Sequence, residues 1–391
     1  MSSLSKITDP PYVWRTAPSE RETVRDLLPV LRDLNADNPS CTVIKESPCN
    51  SIYQLPSNRP GTETYAKLYR RDDWHYWLRN PPGTREGRIM RRLRRVGVPV
   101  ADFVAVGTKR ILPFEIENTL VIRSPARLMT LGRWSYDQFQ EHGAEARKRV
   151  SPLLARVLAA VRRMHEAGIC HGDMNPGNVL VDPEGRQFIL VDFHRSQAVW
   201  PQPFRRRAWD VCKALTFFDK YYETSGLYDL ISAYSSGSLA RKIREHRGEI
   251  VQRIRAHQAS SILEQCFSSQ TYFRNTETAN DTVFSDRQYE IAEIQRWTSE
   301  RNGPGNWSTE EISGTAQEAR DRWHDAVRQA IYEERPGCPV ALVCRSGSEN
   351  KHSLIWDLSG NPEYMLSHTF SLERFASGEK DTSPLGEHTD A

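Results

Sequence analysis

One short segment of the chain combines residue types and a spacing that could transfer a phosphoryl group. Asp173 follows His171 after one residue and precedes Asn178 by five positions, which gives the order H-x-D-x-x-x-x-N. A carboxylate such as that of Asp173 can accept or orient the proton of an attacking hydroxyl, and the amide oxygen of Asn178 can bind Mg²⁺. The segment therefore predicts phosphoryl transfer from ATP, with Asp173 as the base.

A second candidate magnesium ligand lies 14 residues after Asn178. Asp192 ends the apolar run 188–191, and a carboxylate at the end of a buried strand suits a metal ion that bridges the β- and γ-phosphates. The turn-forming residues 182–185 separate two short strand patterns. The sequence thus predicts a tight hairpin that brings Asn178 and Asp192 side by side.

The candidate nucleotide-binding residues lie earlier in the chain. Lys67 stands in the middle of a predicted strand, where a charge is costly without a partner. Glu86, in the first turn of the next predicted helix, is a suitable partner, and the pair would direct the ammonium to the α- and β-phosphates. Ser47 and Ser51 bound a segment without glycine, whose hydroxyls and backbone amides could hold phosphate. We expect Lys67, Ser47 and Ser51 to contact ATP, and Glu86 to position Lys67.

Each of these residues also has a purely structural interpretation. Lys67 could be a solubilising edge-strand lysine, and Glu86 could complement the helix dipole. Asp173 and Asn178 could form a turn, and Asp192 could cap the following segment. Since all of these alternatives would have to hold together while order and spacing still match, the combined pattern favours catalysis.

Two groups of elements must position these residues. Strand patterns fall at 41–44, 52–55, 64–69, 102–106 and 119–123, around one helix over 84–97. Ser19 and Glu22 predict a capping box for an amphipathic helix over about 20–34, with Pro29 inside it. Residues 1–18 show no periodicity and are predicted to be loop. These patterns indicate a small antiparallel sheet that carries one main helix.

Beyond residue 150 the patterns are mainly helical. An apolar stripe with a 3.6-residue period predicts a helix that ends near Gly168, and helical patterns return at 207–222, 240–257 and 313–334. Strand patterns at 339–344 and 353–358 predict a late hairpin. The polar residues 376–391 are expected to be disordered.

Composition narrows the class of protein. The chain has 391 residues, of which 38% are hydrophobic and 26% are charged, as in soluble globular proteins. It contains no apolar run of the roughly 18–20 residues that span a bilayer, and its start lacks the features of a signal peptide. The seven cysteines are an odd number, which argues against a secreted disulfide framework. We therefore expect a cytoplasmic location.

In four stretches the sequence resembles the lipopolysaccharide core kinases that phosphorylate heptose or Kdo sugars, within the protein-kinase-like superfamily. The stretches are 64–70, 85–99, 165–173 and 191–197, and the last, Val-Asp-Phe-His-Arg-Ser-Gln, is the most diagnostic. The resemblance covers about residues 41–220. It implies an α+β, two-lobed protein-kinase-like fold, with a small antiparallel-sheet N-lobe and a larger, mainly helical C-lobe.

The resemblance also divides the chain and implies structural roles. It predicts an N-terminal extension over 1–40, an N-lobe over 41–125, a C-lobe over 126–300, an extension of unknown role over 301–375 and a tail over 376–391. His171 and Asp210 are expected to be structural, with Asp210 holding the backbone of the catalytic loop.

The acceptor is predicted from two further positions. Asn175 stands where Ser/Thr protein kinases generally have a lysine that contacts the transferred phosphate, which favours sugars and other small alcohols over protein substrates. Arg195 and the run 205–207 follow the metal ligand and could contact an anionic glycolipid, or could be a solvated basic face. The arginines of the helix over 84–97 could also contact the cytoplasmic face of the inner membrane. With a net charge of only +3 and no accompanying motif, we expect no nucleic-acid partner.

The leading prediction is thus an ATP- and Mg²⁺-dependent kinase of a heptose or Kdo sugar of the lipopolysaccharide inner core. A protein Ser/Thr kinase and a small-molecule kinase of the aminoglycoside or choline type remain open. The segment 47–51, which has no glycine, also leaves open a pseudokinase scaffold.

Overall fold

A computed structural model describes residues 4–35, 37–46, 50–70, 81–111, 114–265, 273–277, 281–286, 307–313, 315–332, 338–345 and 351–357.

The N-terminal part of the chain forms a seven-stranded antiparallel sheet. Its strands are β1 (Ser5–Asp9), β2 (Tyr12–Thr16), β3 (Thr42–Glu46), β4 (Asn50–Leu55), β5 (Thr62–Arg70), β6 (Asp102–Ile111) and β7 (Phe114–Pro125). They are hydrogen-bonded in the order β1-β2-β6-β7-β5-β4-β3. The predicted strands after residue 40 are therefore present, and β6 and β7 are longer than predicted.

Side chains alternate between the two faces of β5, and a helix covers each face. Ala66 and Leu68 join the core under α1 (Arg21–Leu31). Tyr69 joins the core formed with α2 (Pro82–Arg95), and Lys67 shares that face because side chains in a strand alternate with a period of two. The buried charge of Lys67 thus faces α2, which carries its predicted partner.

Residues 5–16 form strands, so the prediction of loop for residues 1–18 is wrong. β1 and β2 pair with each other and β2 pairs with β6, from Tyr12 opposite Lys109 to Thr16 opposite Ala105. Trp14 packs on Gly107, where a Cβ atom would lie 2.6 Å from the indole ring. Each of these strands has only five residues, so the alternation of buried and exposed residues is too short to be recognised in the sequence among the flanking polar residues.

The predicted capping box at Ser19 and Glu22 does not form either. Helix α1 begins at Arg21, Glu20 occupies the N-cap position, and no side chain makes a capping hydrogen bond. Glu20 instead accepts two hydrogen bonds from Arg123 on β7, at 3.0 and 2.9 Å. Because this pair is buried, it fixes α1 to the sheet.

Helices dominate the next part of the chain, as predicted. They are α3 (Leu131–His142), α4 (Arg147–Glu166), α5 (Phe204–Thr216), α6 (Thr224–Tyr234) and α7 (Ser238–Gln265). Short strands lie between them, namely β8 (Met129–Thr130), β9 (Ile169–Cys170), β10 (Val179–Val181), β11 (Phe188–Leu190) and β12 (Gln197–Ala198). Strands β10 and β11 form the predicted hairpin. The apolar stripe of α4 is buried in the core that also contains the inner face of α2.

A five-stranded antiparallel sheet with one helix follows. It consists of β13 (Phe273–Glu277), β14 (Asp281–Asp286), β15 (Trp307–Ser313), α8 (Ala316–Tyr332), β16 (Cys338–Arg345) and β17 (Lys351–Asp357). The late hairpin is present as β16 and β17, and Trp323, Ala326 and Val327 of α8 are buried. The tail predicted over 376–391 lies outside the described residues.

The buried pair of Glu20 and Arg123 gives a first prediction. Replacing Glu20→Gln should lower the free energy of unfolding by about 3 kcal/mol, because it leaves the Arg123 guanidinium buried without a counter-charge. Urea unfolding measures the change. Glu22→Gln, at an exposed position of the same helix, should change the free energy by less than about 0.5 kcal/mol.

The same pair predicts how this difference depends on pH. Burial raises the pKa of Glu20, but Arg123 and Arg59 outweigh that effect and hold its pKa below the ordinary 4.5. A carboxyl whose pKa is lowered by folding stabilises the native state above its unfolded pKa. The difference between wild type and Glu20→Gln should therefore be full at neutral pH and shrink as the pH falls below 4.5. A difference that is constant down to pH 3 would contradict the role given to this ion pair.

Candidate active site

Lys67 and Glu86 are buried where the sheet meets the helical part of the chain, and they form a cluster of charges with Asp192, whose side chain is 31% exposed. The Lys67 Nζ lies 3.5 Å from Glu86 Oε2 and also contacts Asp192 Oδ1. Burial disfavours the ammonium, but the carboxylates of Glu86 and Asp192 outweigh it and raise the pKa of Lys67. The lysine is therefore charged and held between two carboxylates.

Glu86 also connects α2 to the segment that carries Asp192. Its Oε1 accepts a hydrogen bond of 3.0 Å from the backbone N–H of Phe193, and its Oε2 accepts one from the hydroxyl of Tyr69. Helix α2 can lie this close to the sheet because of Gly87, where a Cβ atom would lie 2.7 Å from the ring of Phe103. The carboxylate of Glu86 thus links α2 to strand β5 and to the chain after β11.

Asp192 adopts a backbone conformation that is uncommon for a residue with a side chain. Its φ and ψ are 64° and 59°, in the left-handed region. Its carboxylate accepts a hydrogen bond of 2.6 Å from His194 Nδ1 besides its contact with Lys67. Burial works against its charge, but Lys67 and His194 hold the pKa of Asp192 well below its ordinary value. An ionised carboxylate held in a strained turn is typical of functional sites.

The hairpin of β10 and β11 brings Asn178 beside Asp192. The backbone N–H of Val191 donates to the carbonyl of Asn178 at 3.0 Å. The Asn178 side chain donates from Nδ2 to the backbone carbonyl of Asp173 at 2.7 Å. This hydrogen bond fixes the orientation of the amide, whose other end, Oδ1, can act as a metal ligand. A carboxylate and an amide oxygen form a set of hard oxygen donors that fits Mg²⁺.

Asp173 lies in the loop between β9 and β10 and receives three cationic or amide donors. Lys213 Nζ is 2.5 Å from Oδ1, Asn175 Nδ2 is 3.1 Å from the same oxygen, and Arg195 is 3.7 Å from Oδ2. Burial raises the pKa of Asp173, but Lys213 and then Arg195 outweigh it, so the pKa lies below the ordinary aspartate value. Asp173 is consequently ionised at neutral pH and able to accept a hydrogen bond from a substrate hydroxyl.

Asp210 holds the backbone of the loop between β9 and β10, which is the role predicted for it. The two oxygens of Asp210 accept the backbone N–H groups of His171 and Gly172 at 2.7 and 2.9 Å. Gly172 has a φ of +80°, and a Cβ atom there would lie 3.0 Å from the carbonyl oxygen of Arg195. Only glycine fits this position without strain. Asp210 and Gly172 together set the path of the backbone immediately before Asp173.

Two predicted nucleotide contacts do not appear among these groups. Ser51 lies opposite Leu68 in the sheet, one residue out of step with the pair of Ile52 and Lys67. Its hydroxyl is therefore buried on the face of the sheet that α1 covers, away from Lys67, which corrects the prediction for this side chain. Ser47 lies outside the described residues.

Some predicted substrate contacts are engaged within the protein. The amide of Asn175 accepts a hydrogen bond of 2.8 Å from the backbone N–H of Gly177 while its Nδ2 donates to Asp173. Arg207 donates to the hydroxyl of Tyr234 at 2.9 Å. Arg195 is more than half exposed beside Asp173, so an acceptor can reach it.

Three residues of this site were not predicted from the sequence. Tyr69 could have been found, because it lies two residues after Lys67 and so shares its face of β5. His194 directly follows the Asp-Phe pair and could have been considered as a partner of Asp192. Lys213 could have been considered because it lies three residues after Asp210 and so shares its face of α5.

Residues 62–227, which include Lys67, Glu86, Asp173, Asn178 and Asp192, match a family model described as "Lipopolysaccharide kinase (Kdo/WaaP) family". This part of the chain is therefore similar to that family. The family consists of kinases, so the match supports phosphotransferase activity for this chain.

Two further proteins resemble parts of the chain. The serine/threonine-protein kinase ppk31 of Schizosaccharomyces pombe is 30% identical over 129 residues, which are 33% of this chain and 10% of that protein. The chain thus spans about a tenth of the length of this curated relative. A solved structure described as "WaaP in complex with acyl carrier protein" is 20% identical, covers 58% of this chain and 95% of its own, and has a TM-score of 0.43. A likeness at that TM-score is too weak to carry an inference about this chain.

Within the described ranges, no helix has both the length and the apolar character needed to cross a membrane.

The contacts of Glu86 give a second prediction. Glu86→Gln removes the charge that faces Lys67 and leaves a buried network with a mismatched donor, so it should lower the free energy of unfolding by about 2 kcal/mol. It should also weaken binding of an ATP analogue, since Lys67 loses one of its two carboxylate partners. Urea unfolding and isothermal titration measure the two effects. Glu245→Gln, at an exposed position of α7, is the matched control. An unchanged affinity for the analogue would contradict the positioning role of Glu86.

Proposed function

We propose that this chain transfers the γ-phosphate of ATP to a sugar hydroxyl of the lipopolysaccharide inner core, on a heptose or a Kdo residue. The observation that carries the proposal is the convergence of Lys67, Asp192 and Asn178 near Asp173, in a segment that is similar to the lipopolysaccharide kinase family. In this interpretation the sheet with α2 and the helical part after residue 126 are the two lobes of a protein-kinase-like fold.

The residues of the site suit each task of the reaction. The acceptor oxygen forms a bond to the γ-phosphorus while the bond from that phosphorus to the β–γ bridging oxygen breaks and ADP leaves. Asp173 accepts the proton of the acceptor hydroxyl, which its low pKa permits because the hydroxyl becomes acidic only as the new bond forms. Lys67, held by Glu86, contacts the phosphates of the nucleotide.

Asp192 and Asn178 would hold Mg²⁺. When bound, the metal ion neutralises charge that develops on the phosphate oxygens. Their oxygen donors fit this cation, and the lowered pKa of Asp192 keeps its carboxylate ready to bind it.

Two features support a sugar acceptor. The first is the family match itself. The second is that position 175 holds an asparagine rather than a lysine, and the amide of Asn175 is hydrogen-bonded within the loop. Arg195, exposed beside Asp173, is suited to contact an anionic group of the glycolipid.

A protein substrate is the second candidate. It is supported by the 30% identity over 129 residues with a serine/threonine-protein kinase. The two candidates differ in the acceptor alone, so they can be separated by supplying both acceptors to the same preparation.

The third prediction tests the transfer. Purified protein with ATP and Mg²⁺ should add one phosphate to dephosphorylated core glycolipid, detected by mass spectrometry. Asp173→Ala should lower kcat by about 10²–10⁴-fold, because the general base is lost, and should leave nucleotide affinity within a few fold. Asp229→Ala, at an exposed position of α6, should retain activity. Turnover on a generic protein substrate without transfer to the glycolipid would replace the proposal with the second candidate.

We also propose that an arginine stripe on α2 contacts an anionic membrane surface. Arg88, Arg92 and Arg95 are exposed and recur at helical spacing. Trp200 is 77% exposed, and it lies beside Arg92 at Gly168. An exposed tryptophan next to arginines is suited to the headgroup region of a bilayer, where the substrate glycolipid would lie.

The fourth prediction concerns this stripe. Replacing Arg88, Arg92 and Arg95 by Gln should weaken binding to vesicles of anionic lipid by about 10²-fold, since each arginine contributes about 1 kcal/mol. Vesicle co-sedimentation measures the change, and vesicles of neutral lipid are the control. Equal binding of the variant and the wild type to anionic vesicles would exclude the stripe.

A further inference from the structure

The catalytic loop lacks a cation of its own near the transferred phosphate. The position two residues after Asp173 holds Asn175, and both ends of that amide are engaged, with Gly177 and with Asp173. Phosphoryl transfer places negative charge on three equatorial oxygens, which a nearby cation stabilises. A protein cation that acts beside the metal ion and Lys67 must therefore come from another element than this loop.

Helix α5 brings an ammonium to that place. Asp210 and Lys213 are three residues apart in α5, and residues at this spacing lie on the same face of a helix. Asp210 holds the backbone of the loop at His171 and Gly172. The face that holds the loop therefore also presents Lys213, whose Nζ lies 2.5 Å from Asp173 Oδ1.

The burial of Lys213 indicates a fixed position. The residue is only 8% exposed, and lysine is rarely buried without a partner. An ammonium has three donors and a flexible stem, so it can keep its contact with Asp173 and donate to a phosphate oxygen at the same time. Arg195, in contrast, reaches the other oxygen of Asp173 at 3.7 Å with an exposed side chain.

We propose that Lys213 is a catalytic residue that bridges Asp173 and the transferred phosphate, so that α5 supplies the charge which Asn175 does not. The proposal rests on the phosphoryl transfer proposed above and deepens it. Lys213 stabilises the phosphoryl group while the bond to the acceptor oxygen forms and the bond to ADP breaks, and Asp173 takes the proton.

The role of Lys213 can be tested by removing its charge and by placing a lysine at position 175 instead. Lys213→Met retains the length of the side chain and removes the charge, so it should lower kcat by about 10²–10³-fold, as the loss of one transition-state donor does. The KM for ATP should change by less than about threefold. The double variant Asn175→Lys/Lys213→Met returns a lysine to the loop and should recover at least about tenfold of the lost kcat. Lys148→Met, at an exposed position of α4, is the control and should retain full activity.

The measurements separate a catalytic from a structural role. Lys213→Gln keeps a hydrogen-bond donor for Asp173 without the charge, so it should fold, with a melting temperature near that of the wild type, and still lose kcat. Full kcat in the Gln variant, or a double variant no faster than Lys213→Met, would overturn the proposal. The kcat of each variant is compared with that of the wild type in two assays, transfer to the same acceptor and hydrolysis of ATP. If the wild type is inactive in both, the proposed phosphoryl transfer itself is refuted.

Discussion

The carboxylate of Glu86 is the interaction on which the arrangement of the site depends. It is 3% exposed and lies between the ammonium of Lys67, the hydroxyl of Tyr69 and the backbone N–H of Phe193. A buried charge is tolerated only where such partners surround it. The strand β5, the helix α2 and the chain after β11 must therefore all be in place together, and any one of them that moved would leave a charge or a donor without its partner.

Asp210 has the corresponding role on the other side of the site. It is fully buried, lies 3.0 Å from His165 Nε2, and accepts two backbone N–H groups of the catalytic loop. Glu86 fixes Lys67 and the chain after β11, whereas Asp210 fixes the backbone immediately before Asp173. Two buried carboxylates thus hold Lys67 on one side of the site and the backbone before Asp173 on the other.

The sequence predicted the residues of this cluster because their order and spacing are constrained by local elements. Asn178 and Asp192 are joined by a hairpin that the turn-forming residues predict, and Glu86 lies in the next predicted helix after the strand that contains Lys67. The prediction for Ser51 was wrong because a side chain's face depends on strand register, which composition does not reveal. Lys213 was not predicted because its spacing from Asp210 places it on the same face of α5 but does not by itself show that its side chain reaches Asp173.

The two N-terminal strands have a consequence for any shortened form of this protein. Strand β6 spans ten residues and is flanked by β2 on one side and β7 on the other. Removal of residues 4–16 would turn β6 into a long edge strand with unpaired backbone groups and would uncover the space that Trp14 fills above Gly107. Exposed edges of this kind pair with strands of other molecules, so a truncated chain should self-associate even with every catalytic group intact.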